Sequence, residues 1–286
     1  MVVLLIVASI LVSGIIRHDV SKEKYLELAQ QQQFNCVGQI LNKKGLVGSC
    51  VLINNKYVIT AAHLFREFDL EPDTQKKLDE RIGDIADYQI KLMNNLYKGV
   101  KLILHPAYMD TANKNNTDLA LIELEIEVTD VEPAILNTTY DELNSISVTV
   151  GYGVLIIANQ PQYTDTTRIK MAGENVIDSL GGYKVPETNE YAILYADLDH
   201  PDNKECCNKI GSPEPLPLEY VITGGDSGGG LFTNNGNRWK LIGVTTGSII
   251  TINPKQMKNF EYYGQIISYW TRVSVFTDWI NQNIEK

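Results

Sequence analysis

The chain has 286 residues, is 44% hydrophobic, and carries 35 Asp and Glu against 25 Lys and Arg, for a formal net charge of −10. That length and apolar content can bury a full-sized core, as one large domain or as two halves. The acidity argues against nucleic acid or an anionic membrane surface as the main partner, because both reward basic surface.

Val2 to Ile16 is almost wholly apolar and ahead of it there is no Lys or Arg. A run of that size falls short of the roughly 20 residues of a membrane span. It suits the hydrophobic region of a secretory signal, with Val12-Ser13-Gly14 as small residues at the cleavage point. An uncleaved anchor and a buried strand are the alternatives. Cleavage makes residues 1–14 a signal peptide and the protein secreted, either extracellular or periplasmic in a Gram-negative bacterium, with no stable membrane association afterwards. Residues 15–33 then form an N-terminal segment, Ile15-Ile16-Arg17-His18 followed by the helix-leaning run SKEKYLELAQQQQ.

From Phe34 the texture changes. FNCVGQIL, GSCVLIN and KYVITAA are short β-rich runs separated by Asn, Gly and Lys, the pattern of small antiparallel strands, with Asn54-Asn55 as a tight turn. Leu64 to Asn95 is long, charged and helix-tolerant, and reads as an insertion or elaborated loop. Strands resume at Val100 to Leu104 and break at His105-Pro106. An Asn- and Thr-rich loop then leads into Asp118-Leu119-Ala120-Leu121-Ile122-Glu123-Leu124. They restart at Ile146 to Val150, ahead of Gly151-Tyr152-Gly153. Phe276, Trp279, Ile280 and Ile284 fall at helical spacing, and Ser274 is placed to cap that helix. Many short strands and one strong helix predict an all-β barrel or sandwich protein.

Four cysteines, Cys36, Cys50, Cys206 and Cys207, show no zinc spacing; their pairing, or their remaining reduced and packed, stays open. Asp197, Asp199 and Asp202 lack the glycine turn and terminal glutamate of an EF-hand and read as a solvated acidic loop. No metal or cofactor is expected. Asn115-Asn116-Thr117 and Asn137-Thr138-Thr139 match glycosylation sequons, which matter only in a eukaryotic secretory pathway.

The stretch Thr223-Gly224-Gly225-Asp226-Ser227-Gly228-Gly229-Gly230 sets five glycines around one serine and one aspartate. Glycine at that density marks backbone with unusual dihedrals or close approach, and a serine there is a candidate nucleophile with N–H groups free to meet an oxyanion. Gly225 to Gly229 also fits the G-x-S-x-G elbow of α/β-hydrolases, but that fold takes its histidine after the serine. All four histidines, His18, His63, His105 and His200, precede Ser227. A P-loop is excluded because no Gly-Lys-Ser/Thr closes the run.

Thr60-Ala61-Ala62-His63, Asp118-Leu119-Ala120-Leu121 and Gly225-Asp226-Ser227-Gly228-Gly229, in that order, resemble the three signature segments of trypsin-like (chymotrypsin-fold) serine proteases. GSCVLINNKYVITAAH, VKLILHPAY, VGYG, WKLIGV and YWTRVSVFTDWI match between and after them, so the resemblance covers about residues 34–286. It implies two packed six-stranded antiparallel β-barrels, about 34–135 and about 136–270, with a C-terminal α-helix at about 274–286. It also implies a secreted endopeptidase in which Ser227 attacks, His63 is the base, Asp118 orients it, and the N–H groups of Gly225 and Ser227 bind the oxyanion. A protein or peptide substrate, a proteinaceous inhibitor and a monomeric state follow from the same likeness. A non-catalytic binding protein on this fold, and an esterase or acyl transferase with the same triad, are the rival readings.

The family is usually activated when a new Ile-Val-Gly-Gly terminus pairs its amine with the aspartate before the serine. That aspartate is Asp226, but no such motif occurs. Signal cleavage after Gly14 would expose Ile15 for the role; an internal partner for Asp226 is the alternative. Leu64, Gly48 and Thr223 stand where the family has cysteines, and Cys50 where it has glycine. In the specificity pocket the resemblance puts Val221 at the base, Thr246-Gly247-Ser248 along the wall and Ser268 at a second glycine position. This implies a taste for small or medium uncharged residues. The long segment from Ser248 to Tyr269 is expected to overhang the site.

Overall fold

The computed structural model describes residues 14–70, 77–109, 116–202, 207–236, 238–250 and 262–284. The apolar leader through residue 13, Cys206 and the sequon asparagine Asn115 lie outside the described residues.

Strand β1 (Gly14–Ile16) and helix α1 (Lys22–Ala29) open the fold, the helix burying Tyr25 and Ala29. Strands β2 (Val37–Asn42), β3 (Gly45–Asn54) and β4 (Tyr57–Thr60) follow. The β3–β4 turn is held by Asn54, whose Oδ1 accepts from Lys56 N at 2.8 Å and Tyr57 N at 2.7 Å, the local bonding that suits Asn to turns. Next come β5 (Arg66–Leu70), β6 (Lys77–Ile82), β7 (Gln89–Leu92), β8 (Asn95–Leu104) and β9 (Ala120–Leu124). Where the run from Leu64 to Asn95 is described, β5 and β6 pair as an antiparallel hairpin outside the barrel, a 3-10 turn lies at Ile85–Asp87, and β7 joins the barrel.

Strands β2-β3-β4-β9-β8-β7 close into a six-stranded antiparallel barrel. Within β3, residues 48–53 are buried without alternation. One face fills the barrel, while the other is pressed against the second half of the chain, where Ser49 meets Gly225.

That second half contains β10 (Ile135–Leu136), β11 (Ile146–Gly151), β12 (Leu155–Ile157), β13 (Gln160–Asp165), β14 (Met171–Val176), β15 (Ser179–Val185), β16 (Glu190–Asp197), β17 (Tyr220–Val221), β18 (Gly230–Asn234), β19 (Trp239–Ile250) and β20 (Ile266–Arg272). Its main sheet runs β14-β11-β18-β19-β20-β16-β15, with β10 alongside β19; β13-β12-β1-β17 form a smaller sheet. β1 thus lies inside the second half, parallel to β12 and antiparallel to β17.

A 3-10 turn at Ser274–Phe276, which buries Phe276, leads into helix α2 (Thr277–Ile284), which buries Ile280. Ser274 does not cap it. Its hydroxyl instead donates to Glu142 Oε1 at 2.6 Å, because Glu142 forms a fully buried ion pair with Arg272, Nη2 to Oε2 at 2.7 Å. A buried carboxylate demands donors for both oxygens, and the hydroxyl answers that demand first. Cys36 and Cys50 are free and buried. Asn137 is 1% exposed, with its amide nitrogen donating to Thr139 O at 2.7 Å and Glu142 Oε1 at 3.1 Å. Its sequon is sealed by the same polar network.

Candidate active site

His63 lies in the 3-10 turn Ala62–Phe65 that follows β4, with Ala61 and Ala62 fully buried beneath it. Asp118 sits two residues before β9. Because β4 and β9 pair with Thr60 opposite Ala120, their ends bring His63 and Asp118 together. One carboxylate receives two bonds from the histidine: His63 N donates to Oδ1 at 2.8 Å, and Nδ1 meets Oδ2 at 2.6 Å. The Asp118 side chain is 3% exposed and that of His63 33%. A carboxylate at Nδ1 fixes the proton there and leaves Nε2 as acceptor. Burial pulls the imidazole pKa down, but the charge and hydrogen bond of Asp118 outweigh it and hold the ring above 6.5.

Ser227 is half-buried in the turn between β17 and β18. Its carbonyl accepts from Ser49 N at 2.8 Å, and the next residue, Gly228, donates to Thr245 O at 2.8 Å. Gly228 has φ +83°, and a Cβ there would strike Thr60 Oγ1 and Ser49 O. Glycine is required because the serine turn is pressed onto the end of β4 that leads to His63. Ser227 Oγ makes no hydrogen bond to His63 among the described residues, a contact that often tightens only with substrate bound.

The neighbouring peptides are fixed by their carbonyls. Gly224 O accepts from Val154 N at 3.2 Å and Arg168 Nη1 at 3.1 Å, and Asp226 O accepts from Gly229 N at 2.7 Å. The N–H of a trans peptide points opposite to its carbonyl. Gly225 N and Ser227 N, on the far sides of these peptides, have no partner among the described residues. Gly225 itself takes φ +104°. Two unpaired N–H groups flanking a serine hydroxyl can receive an oxyanion.

Asp226 is fully buried and does not reach His63. Its partners are Gly153 N, Tyr220 Oη and Thr223.

The residues expected in the pocket divide. Val221 is fully buried among Ile15, Ile156, Leu198, Tyr263 and Ile266. Ser268 is also fully buried, and its hydroxyl accepts from Ile222 N at 3.1 Å. Thr246 pairs its hydroxyl with that of Thr271 at 2.8 Å. Ser248 is exposed, and Gly247 faces Tyr269, whose hydroxyl would lie 2.8 Å from a Cβ added to the glycine. Residues 251–261, the bulk of the expected overhang, lie outside the described residues.

The other histidines are occupied elsewhere. His18 Nδ1 meets Tyr263 Oη at 2.7 Å, His200 packs on the Tyr263 ring, and His105 lies against Phe276 and Trp279. Asp202 is exposed as expected, but Asp197 and Asp199 are buried, which corrects the solvated-loop reading for both. Asp197 is drawn inward by the backbone N–H groups of Lys209 and Ile210. Among the described residues no cluster of His, Cys, Asp and Glu is arranged to hold a metal ion.

Sequence reasoning passed over Ser49, Arg168 and Tyr220. Each acts through a contact distant in the chain or through a bond the neighbouring residues do not signal, and none carries a motif.

The Trypsin family model matches residues 27–280. The chain is similar to serine protease 28 of Mus musculus, 24% identical over 242 residues that make up 82% of this chain and 76% of the relative. It is similar to trypsin of Phaedon cochleariae, 27% identical over 240 residues, 82% of this chain and 77% of that one. It also matches vitamin K-dependent protein C of Oryctolagus cuniculus, 26% identical over 255 residues, 86% of this chain but 48% of the relative. With a match spanning residues 27–280 and a largely β architecture built on a closed six-stranded barrel, this chain belongs to the trypsin family of serine endopeptidases.

Proposed function

We propose that the protein cleaves peptide bonds in protein or peptide substrates through an acyl-enzyme formed on Ser227. The observation that carries this reading is the pair of hydrogen bonds from His63 to Asp118, which leaves Nε2 as a proton acceptor on the turn after β4, the strand against whose end the serine turn is packed. Ser227 Oγ attacks the scissile carbonyl carbon as its proton passes to His63 Nε2. The oxygen, now an anion, is received by Gly225 N and Ser227 N, each such donor lowering the barrier by about 2.7–4 kcal/mol. Collapse breaks the C–N bond, and the protonated His63 supplies the leaving amine with its proton. Water repeats the sequence to release the acid and restore the serine. This is the chemistry established for the family.

Residues 34–286 form the peptidase domain in this reading, with residues 1–14 a secretory leader that is removed to give a secreted enzyme. Among the described residues no helix is long and apolar enough to cross a membrane. Cleavage follows small or medium uncharged side chains. Support comes from Val221 and Ser268, which offer no carboxylate to a basic residue. Incubation of the purified protein with a diverse peptide pool, with cut sites mapped by mass spectrometry, tests both points. Cuts after Ala, Val or Thr fit; cuts chiefly after Arg or Lys defeat the specificity; no cuts at all favour a binding protein.

A further inference from the structure

The Gly224–Gly225 peptide has two working edges. Its N–H is Gly225 N, one of the two groups placed to receive an oxyanion. Its carbonyl accepts from Val154 N at 3.2 Å and from Arg168 Nη1 at 3.1 Å. In a trans peptide the two edges are fixed opposite each other, so whatever aims the carbonyl also aims the N–H. Of the two donors only the guanidinium carries a charge, and charge-assisted bonds are roughly twice as strong as neutral ones.

Arg168 is held for this contact on backbone that does not suit it. It stands between β13 and β14 with φ +56°. Glycine or asparagine takes that left-handed conformation more easily than arginine does. The turn ahead of it is closed by Asp165, whose Oδ1 accepts from Thr167 N at 3.0 Å and from Thr167 Oγ1 at 2.7 Å. The other oxygen of Asp165 lies 3.7 Å from Lys22 Nζ. Asp165 is thus engaged by Thr167 and Lys22, and among the described residues Arg168 makes no ion pair. Just beyond, β14 begins with Met171 opposite Gly151, which anchors the far end of the segment.

Gly225 makes room for the guanidinium. A Cβ at that position would overlap Arg168 Nη1, and the glycine takes φ +104°. The cation therefore fills the space that a side chain on the oxyanion residue would need. Bonded to the carbonyl, it polarises the amide and strengthens the N–H as a donor, as hydrogen bonds in series do.

We propose that Arg168 is a positioning residue for the oxyanion. Its guanidinium fixes the Gly224 carbonyl so that Gly225 N–H points at the developing anion, and its charge strengthens that donor. This rests on the serine peptidase reading given above.

Two variants test it, Arg168→Gly and Arg168→Asn, both at ease with the backbone there and both lacking the guanidinium. Val154 N still holds the carbonyl in each, so the loop keeps one of its two donors. Each variant is assayed on a peptide found cleaved in the pool. Its affinity is then measured for a peptidyl trifluoromethyl ketone and for the matching peptidyl alcohol. With the ketone, Ser227 Oγ adds to the carbonyl carbon, the hydroxyl proton passes to His63 Nε2, and the carbonyl oxygen becomes an anion at Gly225 N and Ser227 N. The alcohol fills the same subsites and forms no anion.

The expected result is a kcat lowered at least about tenfold with KM unchanged within about twofold, as for loss of a charged hydrogen bond. Ketone affinity should weaken by a similar factor while alcohol affinity is kept. An unchanged kcat overturns the assignment. So does a KM that rises with kcat kept, or an equal loss of ketone and alcohol, because Arg168 would then act on substrate binding. If one variant does not fold the other decides; if neither folds, Arg168 is a structural residue and the assignment falls. Unaltered protein that cuts no peptide and takes up no ketone defeats the serine peptidase reading itself, and this role with it.

Discussion

Ser49 grips the serine loop twice. Its hydroxyl donates to Gly225 O at 2.8 Å while its backbone N–H donates to Ser227 O at 2.8 Å, joining the first barrel to the loop of the second half. The same hydroxyl accepts from Tyr152 N at 3.0 Å, so a fully buried oxygen is satisfied on both sides. Replacing Ser49 by alanine leaves the Gly225 carbonyl and Tyr152 N–H without their partner. A buried bond of this kind contributes about 0.5–1.5 kcal/mol, so kcat should fall about two- to tenfold with KM little changed. Steady-state kinetics on Ser49→Ala decide it: a change confined to KM would place Ser49 outside the oxyanion loop's control.

In the proposed mechanism the His63–Asp118 pair sets the acid limb of the pH profile. The base must be neutral, and the structure holds its pKa above 6.5. As pH falls through that value the imidazole takes up a proton, so kcat/KM should drop on the acid side with a midpoint above 6.5. Asp118→Asn removes the charge that raises it. The midpoint should move down, and the rate should fall about 10⁴-fold because the wrong tautomer is held. An unmoved acid limb in that variant would show that another group titrates.

Glu142 and Arg272 are predicted to matter for stability rather than chemistry. Both side chains are fully buried, and Glu142 also accepts from Ser274 and Asn137. Glu142→Ala strands the guanidinium and should cost about 3–5 kcal/mol, the usual penalty for breaking a buried pair. Denaturant unfolding measures it; a loss under about 1 kcal/mol would mean that Glu190, 3.0 Å from Arg272 Nη1, suffices alone.

Asp178 and Asp199 supply a pH effect of opposite sign to a salt-bridged carboxylate. Burial first, then the charge of Asp197, pushes each up to about 7. Unfolded, they release their protons near about 3.9. Between those values the folded state binds more protons, so stability is full at the acid end and falls as pH rises toward about 7. Asp178→Asn should narrow the drop in Tm between about pH 5 and about pH 8. An unchanged drop would contradict the assignment.

The candidate site is marked in the sequence by short segments. His63 after two alanines, Asp118 opening an apolar strand and Ser227 among glycines are local patterns that need no tertiary knowledge. The strands around them followed from β-rich runs and turn residues such as Asn54. What could not be read depends on partners far along the chain. The Leu64 to Asn95 run looked helix-tolerant because its charges suit a helix surface, yet β7 is held by pairing with β2. Ser274 carries the residue type of a cap, but a buried carboxylate 132 positions away claims its hydroxyl. Asp197 and Asp199 looked solvated because the neighbouring residues are polar, and only the fold shows them turned inward.

In the proposed mechanism Ser227 is the nucleophile and His63 activates it. Mass spectrometry of the intact protein after treatment with a peptidyl phosphonate tests it most directly, with the adduct located by digestion. One adduct is expected, on Ser227, formed at a rate that collapses in His63→Ala and absent in Ser227→Ala. Unmodified wild-type protein, or an adduct that persists in Ser227→Ala, would contradict it.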